Sequence, residues 1–313
     1  MLNLMKKNKF QKSFFLLGLM IGFYAPVVTA QTAKEALEQY INNAAANFPA
    51  SLMSNDVSYS EIADLTRELK LDSLSVTALR TYALLFAKAQ TSGEQAARQA
   101  FIHQCLDALG SDANGGLAQQ LIAYLQHFGK LDFAPSAQTK IRDLLAKGTA
   151  HFDAFVKVAG FVLNDRQPFQ QLLNGSLSRP EKEAVYLALA RNGDQGKLAV
   201  VQKSIQTLAL GDNFIYYVVP VVIYVRQKVT TDYLMDFILQ DDQACTPADA
   251  EISGQITCAY RLLEMLAPVV KDFPLEITVG GDLDVDNYPA ALKEAREWIV
   301  EHRQDYELRR DIY

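Results

Sequence analysis

Three alternating carboxylates, Asp282, Asp284 and Asp286, come closest to a metal-ligand set in this chain of 313 residues. Acids at every second position open an EF-hand loop, whose hard oxygens suit calcium. The match then breaks. The sixth position is Asn287, where glycine makes the sharp turn, and the twelfth is Lys293, where a bidentate glutamate closes the site. The run therefore reads as a solvated turn in which Asp286 or Asn287 caps the following helix, with calcium as the alternative. The four histidines, His103, His127, His151 and His302, share no zinc-binding spacing and no C-x-x-C pair accompanies them, so a metal hydrolase lacks its ligands. A G-x-S-x-G elbow, a phosphate-binding loop and a G-x-G-x-x-G turn are also missing. Ser176 and Ser178 read as loop and helix cap, and no cofactor is implied.

The cysteines differ in context. Cys105 shares one helical face with Phe101, Ile102, Leu106 and Leu109, which reads as a buried apolar side chain. Cys245 and Cys258 stand 13 residues apart across a polar loop. In an oxidising compartment they are expected to pair, and closing a loop of that size contributes roughly 3 kcal/mol.

The first residues predict such a compartment. Lys6, Lys7, Lys9 and Lys12 precede an apolar core from Ser13 to Phe23, and Val28 and Ala30 supply small residues at a cleavage site before Gln31. The core is shorter than the roughly 20 residues a membrane span needs. Residues 1–30 are thus expected to be a signal peptide, and the mature chain to be periplasmic or extracellular. Four lysines leave with it, so the 30 basic and 36 acidic residues of the whole chain become 26 − 36 = −10. An acidic surface repels phosphate backbones, which excludes nucleic acid as a natural partner. No later segment reaches the length of a membrane span. The longest apolar run, Phe214 to Val225, carries Pro220 and stops at Arg226.

The elements that would position any site are helices. Leu198, Val201, Ile205 and Leu208 form one stripe of an amphipathic helix, as do Phe152, Phe155, Val156, Ala159, Val162 and Leu163. Ser178 to Glu181 (SRPE) reads as a capping box. Gly110, Gly129, Gly148 and Gly193 stand where helix C-termini call for a left-handed residue. Turns within successive helix pairs fall near Gly129, Asp165, Asp194 and Gln227, spaced by 36, 29 and 33 residues. Such spacing predicts a two-helix repeat. The place of Phe214–Gln227 in that rhythm decides for a buried helix kinked at Pro220, over a strand. The expected organisation is a helical cap over 31–74, repeats over 75–270, a link over 271–288 and a capping helix over 289–313.

With these residues in view, the stretch from Glu181 to Val270 resembles HEAT-type helical repeats, its Leu187 to Asp194 (LALARNGD) standing at the turn between the two helices of a unit. Tetratricopeptide and armadillo-like stacks stay open. The resemblance implies an all-α, right-handed α-α superhelix of about five to six helix pairs, serving as scaffold, adaptor or inhibitor, with no shared active site. The expected function is noncatalytic binding of a protein or other envelope partner in a groove lined by second helices, with Lys140, Gln202, Gln206 and Asp236 as surface positions there. Two alternatives remain: a cell-envelope hydrolase with Asp/Glu catalysis, and a structural subunit of a secretion or surface complex.

Overall fold

The computed structural model describes residues 33–43, 46–54, 56–68, 76–111, 114–240, 244–247, 254–278 and 280–313. The expected signal peptide lies outside them. The chain is all-α. Its helices are α1 (Ala33–Asn42), α2 (Tyr59–Glu68), α3 (Val76–Thr91), α4 (Gln95–Gly110), α5 (Gly115–Leu125), α6 (Pro135–Lys147), α7 (Phe152–Leu163) and α8 (Gln167–Leu172). They continue with α9 (Arg179–Arg191), α10 (Gln195–Ile205), α11 (Asp212–Tyr217), α12 (Val219–Val225), α13 (Lys228–Gln240), α14 (Cys258–Leu266) and α15 (Tyr288–His302). The only sheet among the described residues is a two-stranded antiparallel ladder, β1 (Ala244–Cys245) with β2 (Ile256–Thr257). Among these residues no helix is long and apolar enough to cross a membrane.

Helices pack mainly on neighbours in chain order: α3 on α4, α4 on α5 and α6, α6 on α7, α7 on α9, α12 on α13, α13 on α14, α14 on α15. Helix α9 is the seam. Its Ala184, Val185, Ala188 and Leu189 belong to a core that begins at α1, while Leu187 and Ala190 belong to a second core that runs to α15. A helix can serve two cores only if it is apolar nearly all round, and Ala184 to Arg191 is buried at every position but Tyr186. Small residues permit the approach on one side. Gly160 of α7 faces Ala188 so closely that a Cβ there would lie 2.6 Å from the alanine methyl.

Caps follow the expected chemistry in part. Glu181 accepts from the Ser178 amide at 2.7 Å, closing the capping box of α9. Gly148 and Gly193 take positive φ, as C-terminal residues do. Gly129 is extended at φ −71 and Gly110 ends α4 inside the helix, so those two expectations are corrected. Asn164 (φ 48) and Arg226 (φ 49) take the left-handed role after α7 and α12 instead. Pro220 acts more strongly than a kink: the segment divides at Val218 into α11 and α12. Without an amide hydrogen, Pro220 cannot bond the Tyr216 carbonyl, and its ring crowds that carbonyl.

The capping helix ends at His302, well before the end of the expected 289–313 element, and the residues after it turn back over the body. Leu308 bridges Val270, with Lys271 donating to Glu307 O and Arg309 to Val269 O, both at 2.9 Å. Farther along, Lys130 donates its amide to Asp311 O at 2.7 Å. Tyr313 packs against both cores, its ring meeting Phe161 and Tyr224. This strap joins helices separated by more than a hundred residues.

Cys245 and Cys258 stand at disulfide distance, S–S 2.02 Å, one at the end of β1 and the other opening α14. Strand β2 directly precedes α14, so Ile256 and Thr257 form the second arm of this bracket and the helix begins only at Cys258. Thr246, next to Cys245, donates its amide and hydroxyl to Asp212 at 2.8 and 2.7 Å, which tethers the bracket to α11 and lowers the Asp212 pKa. Replacing both cysteines by serine is expected to cost roughly 2–3 kcal/mol, read as a lower urea midpoint. An unchanged midpoint, or two alkylatable thiols in the non-reduced protein, would refute the bridge. Cys105 is fully buried and free, as its helical face predicts.

Candidate binding groove

The residues that could do chemistry turn out to hold structure. His103 Nε2 meets Ser136 Oγ at 2.8 Å, and His151 Nε2 meets Gly115 O at 2.9 Å. His302 bonds Trp298 O at 3.1 Å and stacks on that indole, while His127 lies edge-on to Phe86. Ser178 caps α9, with Ser176 in the loop before it. Asp282, Asp284 and Asp286 lie along a narrow turn, where Thr278 donates to Asp282 O at 2.8 Å and Asp284 to Glu276 O at 2.9 Å. Asn287 then caps α15 by accepting from Ala290 at 3.0 Å, as the solvated-turn reading expects. Among the described residues no three His, Cys, Asp or Glu side chains gather as a metal site.

Of the four surface positions on second helices, two are engaged. Lys140 pairs with Asp107, and Asp236 with Arg303, which donates to it. Gln202 is half-buried and Gln206 exposed, both at α10. The structure thus spreads these positions over α6, α13 and, for the two glutamines, α10.

There a groove of about 300 Å³ runs between α9, α10 and the α11–α12 junction. Its floor is apolar: Leu187 from α9, Val201 and Ile205 from α10, and Val218 at the junction, each buried. Its lips are apolar yet open to solvent, with Val200 48%, Leu208 38% and Tyr217 69% exposed. Tyr216 beside it is 61% exposed. Isolated apolar residues on a surface need no explanation, but a cluster lining a cleft does. Within α11, Phe214 and Ile215 are buried while Tyr216 and Tyr217 lie on its exposed face, and the division at Val218 ends that helix beside the groove.

Charged residues of both signs flank the groove on its α9 and α10 side. Arg179 and Glu183 line it, and Lys182 and Lys197 bracket Tyr186 with their ammonium groups 5.9 and 4.1 Å from the ring centre. Lys203 stands exposed one helical step from Val200. None of these four cations makes an ion pair with a carboxylate among the described residues. Two further acids stand on the same elements: Glu181, whose pKa the Ser178 hydroxyl and amide lower, and Asp194, which accepts from the Lys197 amide at 3.0 Å. Glu183 alone offers a carboxylate to the cleft.

A second cavity, about 610 Å³, opens among α2, α3, α4 and the start of α5. Tyr82 and Gln104 bring polar atoms to its wall, and burial raises the Tyr82 pKa to about 12. The amide oxygen of Gln104 accepts from Tyr59 at 2.9 Å. Its one lining carboxylate, Asp107, is held by Lys140. Glycoside hydrolysis needs two facing acids; the described lining of either cleft provides one.

Sequence reasoning missed the groove for a definite reason. The 3.6-residue pattern places Leu208 in the core stripe with Leu198, Val201 and Ile205, but α10 ends at Ile205 and leaves Leu208 on the lip. The available signal was Val200, an apolar residue off that stripe, together with paired tyrosines just ahead of a proline. Fold and site define an all-α protein carrying an apolar groove with open apolar lips. Set beside known proteins, the chain matches no family model, no curated protein and no solved structure.

Proposed function

We propose that this chain is a noncatalytic exported binding protein, a HEAT-like stack that holds a partner protein in the groove between α9, α10 and the α11–α12 junction. The observation that carries the reading is the set of open apolar lips, Val200, Leu208 and Tyr217, over a buried apolar floor. Burying such lips against a partner removes apolar area from water at about 25 cal/mol per Å². Aromatic residues at the centre of such a patch are the usual anchors of a protein interface. The disulfide-distance cysteine pair fits work outside the cytoplasm.

The test is a photo-crosslinking residue at Tyr217 in the native cell envelope, with Val300 on α15, 71% exposed, as the control position. A discrete adduct at Tyr217 and none at Val300 is the expected result. Equal labelling at both, or none at Tyr217, would remove the docking reading.

A further inference from the structure

The C-terminal strap closes over a concentration of positive charge. A cavity of about 10 Å³, room for one water-sized particle, lies where Lys130, Arg191, Arg226 and Arg310 converge. Asn164 stands beside them, and none of the described residues lining the cavity is acidic. The four cations come from distant parts of the chain: the turn before α6, the end of α9, the residue after α12, and the strap. Arg191 and Arg226 are 5% and 1% exposed, so water screens them little. Main-chain oxygens answer all but one of the Arg226 N–H groups. Arg191 donates through Nη1 and Nη2 to Tyr224 O and Ile312 O, while its Nε and the Lys130 Nζ have no hydrogen-bond partner among the described residues. Burial, and then the charges of Arg191 and Arg310, depress the Lys130 pKa, and no carboxylate acts to restore it. Of the nearby acids, Asp311 is exposed and acts on Arg226, while Asp132 pairs with Arg98 at 2.8 Å. Buried charges of one sign call for a counter-charge. We propose that the cavity holds one small inorganic anion, a halide, which neutralises Lys130 and Arg191 and pins the strap to α9 and α12. A tetrahedral oxyanion is larger than the space, and water would fit but brings no charge.

The melting temperature tests this as sodium chloride replaces sodium gluconate at one ionic strength. Gluconate is too large for the cavity, and the fixed ionic strength holds screening constant. A saturable rise of about 2–4 °C is expected, and bromide should reproduce it. Lys130→Met removes a charge whose Nζ makes no hydrogen bond within the described protein, and it keeps the main-chain bond to Asp311 O. In gluconate this variant should melt at or above the parent, because repulsion is relieved, and it should lose the chloride response. No response in the parent, a rise that never saturates, or a response that Lys130→Met retains would overturn the site. Crystals of the parent grown in bromide give the direct reading. An anomalous peak in contact with Lys130 Nζ and Arg191 is expected there, and a water molecule in its place would equally discard the anion.

Discussion

Substituting Arg226 by methionine is expected to lower stability by about 3–5 kcal/mol, through several lost charge-assisted hydrogen bonds, and to release the C-terminal strap. The side chain is 1% exposed, among the largest fully buried groups in the protein. It sits at a left-handed residue after α12, where its Nη1 donates to Ile312 O at 2.7 Å and to Arg309 O, its Nη2 to Tyr313 O at 2.6 Å, and its Nε to Ile223 O at 3.1 Å. Burial, and then the charge of Arg191, depress its pKa, yet a guanidinium stays protonated at neutral pH. A buried charge is tolerated here because main-chain carbonyls from one segment converge on its planar fork. Methionine keeps volume and supplies no donor, so those carbonyls must find water. The strap lifts to reach it. Lysine keeps the charge but concentrates its donors at one atom, and should recover only part of the loss. For a chain of this size the methionine variant should melt about 6–10 °C lower. Trypsin should then cut after Arg309 and Arg310 in the native state, sites held in the parent by the Arg309 amide bond to Val269. A variant with unchanged melting and unchanged cleavage would show that the strap does not depend on Arg226.

How much of this was legible beforehand depends on the range of the interaction. Periodicity located most of the helices because an amphipathic face is a local property: Leu198, Val201 and Ile205 are buried where the 3.6-residue repeat puts them. Local chemistry also placed the Ser178 capping box, the Asn287 cap and the two cysteines. Termini were less legible. Gly129 follows a helix but opens a short 3-10 turn whose Asp132 carboxylate bonds its amide at 3.1 Å, so no left-handed residue is needed there. The strap left almost no trace, because main-chain bonds to Val269, Val270 and Lys130 carry no side-chain signature. Arg226 was visible only as the residue that ended an apolar run. The groove was hidden for a related reason: a hydrophobic pattern shows which residues avoid water, and cannot distinguish a core from a face that awaits a partner. The exposure of Val200, Leu208 and Tyr217 carries that distinction, and exposure is visible only in three dimensions.

The seam at α9 gives the other large effect, and two principles predict opposite signs for it. Gly160 lies within α7, and helix propensity alone makes Gly160→Ala stabilising by up to about 1 kcal/mol. Packing predicts the reverse. A Cβ at this position would lie 2.5 Å from Tyr224 Oη, 2.6 Å from Ala188 Cβ and 3.0 Å from Ala188 Cα. Neither neighbour gives way easily. The tyrosine hydroxyl donates to Lys157 O at 2.9 Å and is fixed inside the core, while the alanine contact reaches the backbone of α9 itself. Asn192 further clamps the two helices by donating to Gly160 O at 2.9 Å. Overpacking of a rigid contact costs about 1–3 kcal/mol, which outweighs the propensity gain. Gly160→Ala is therefore expected to be destabilising by about 2 kcal/mol, and Gly160→Leu by 3 kcal/mol or more. Gly116→Ala is the control: its added methyl would meet only Asn114 Oδ1, at an ordinary 3.5 Å, so it should be neutral or slightly stabilising. Combining Gly160→Ala with Ala188→Gly should return part of the loss, since the methyl merely changes sides of the contact, and the coupling in that double-mutant cycle measures the seam directly. A higher urea midpoint for Gly160→Ala alone would mean that α7 and α9 are not held this close. The two cores would then not be joined through α9 in the way their shared helix requires.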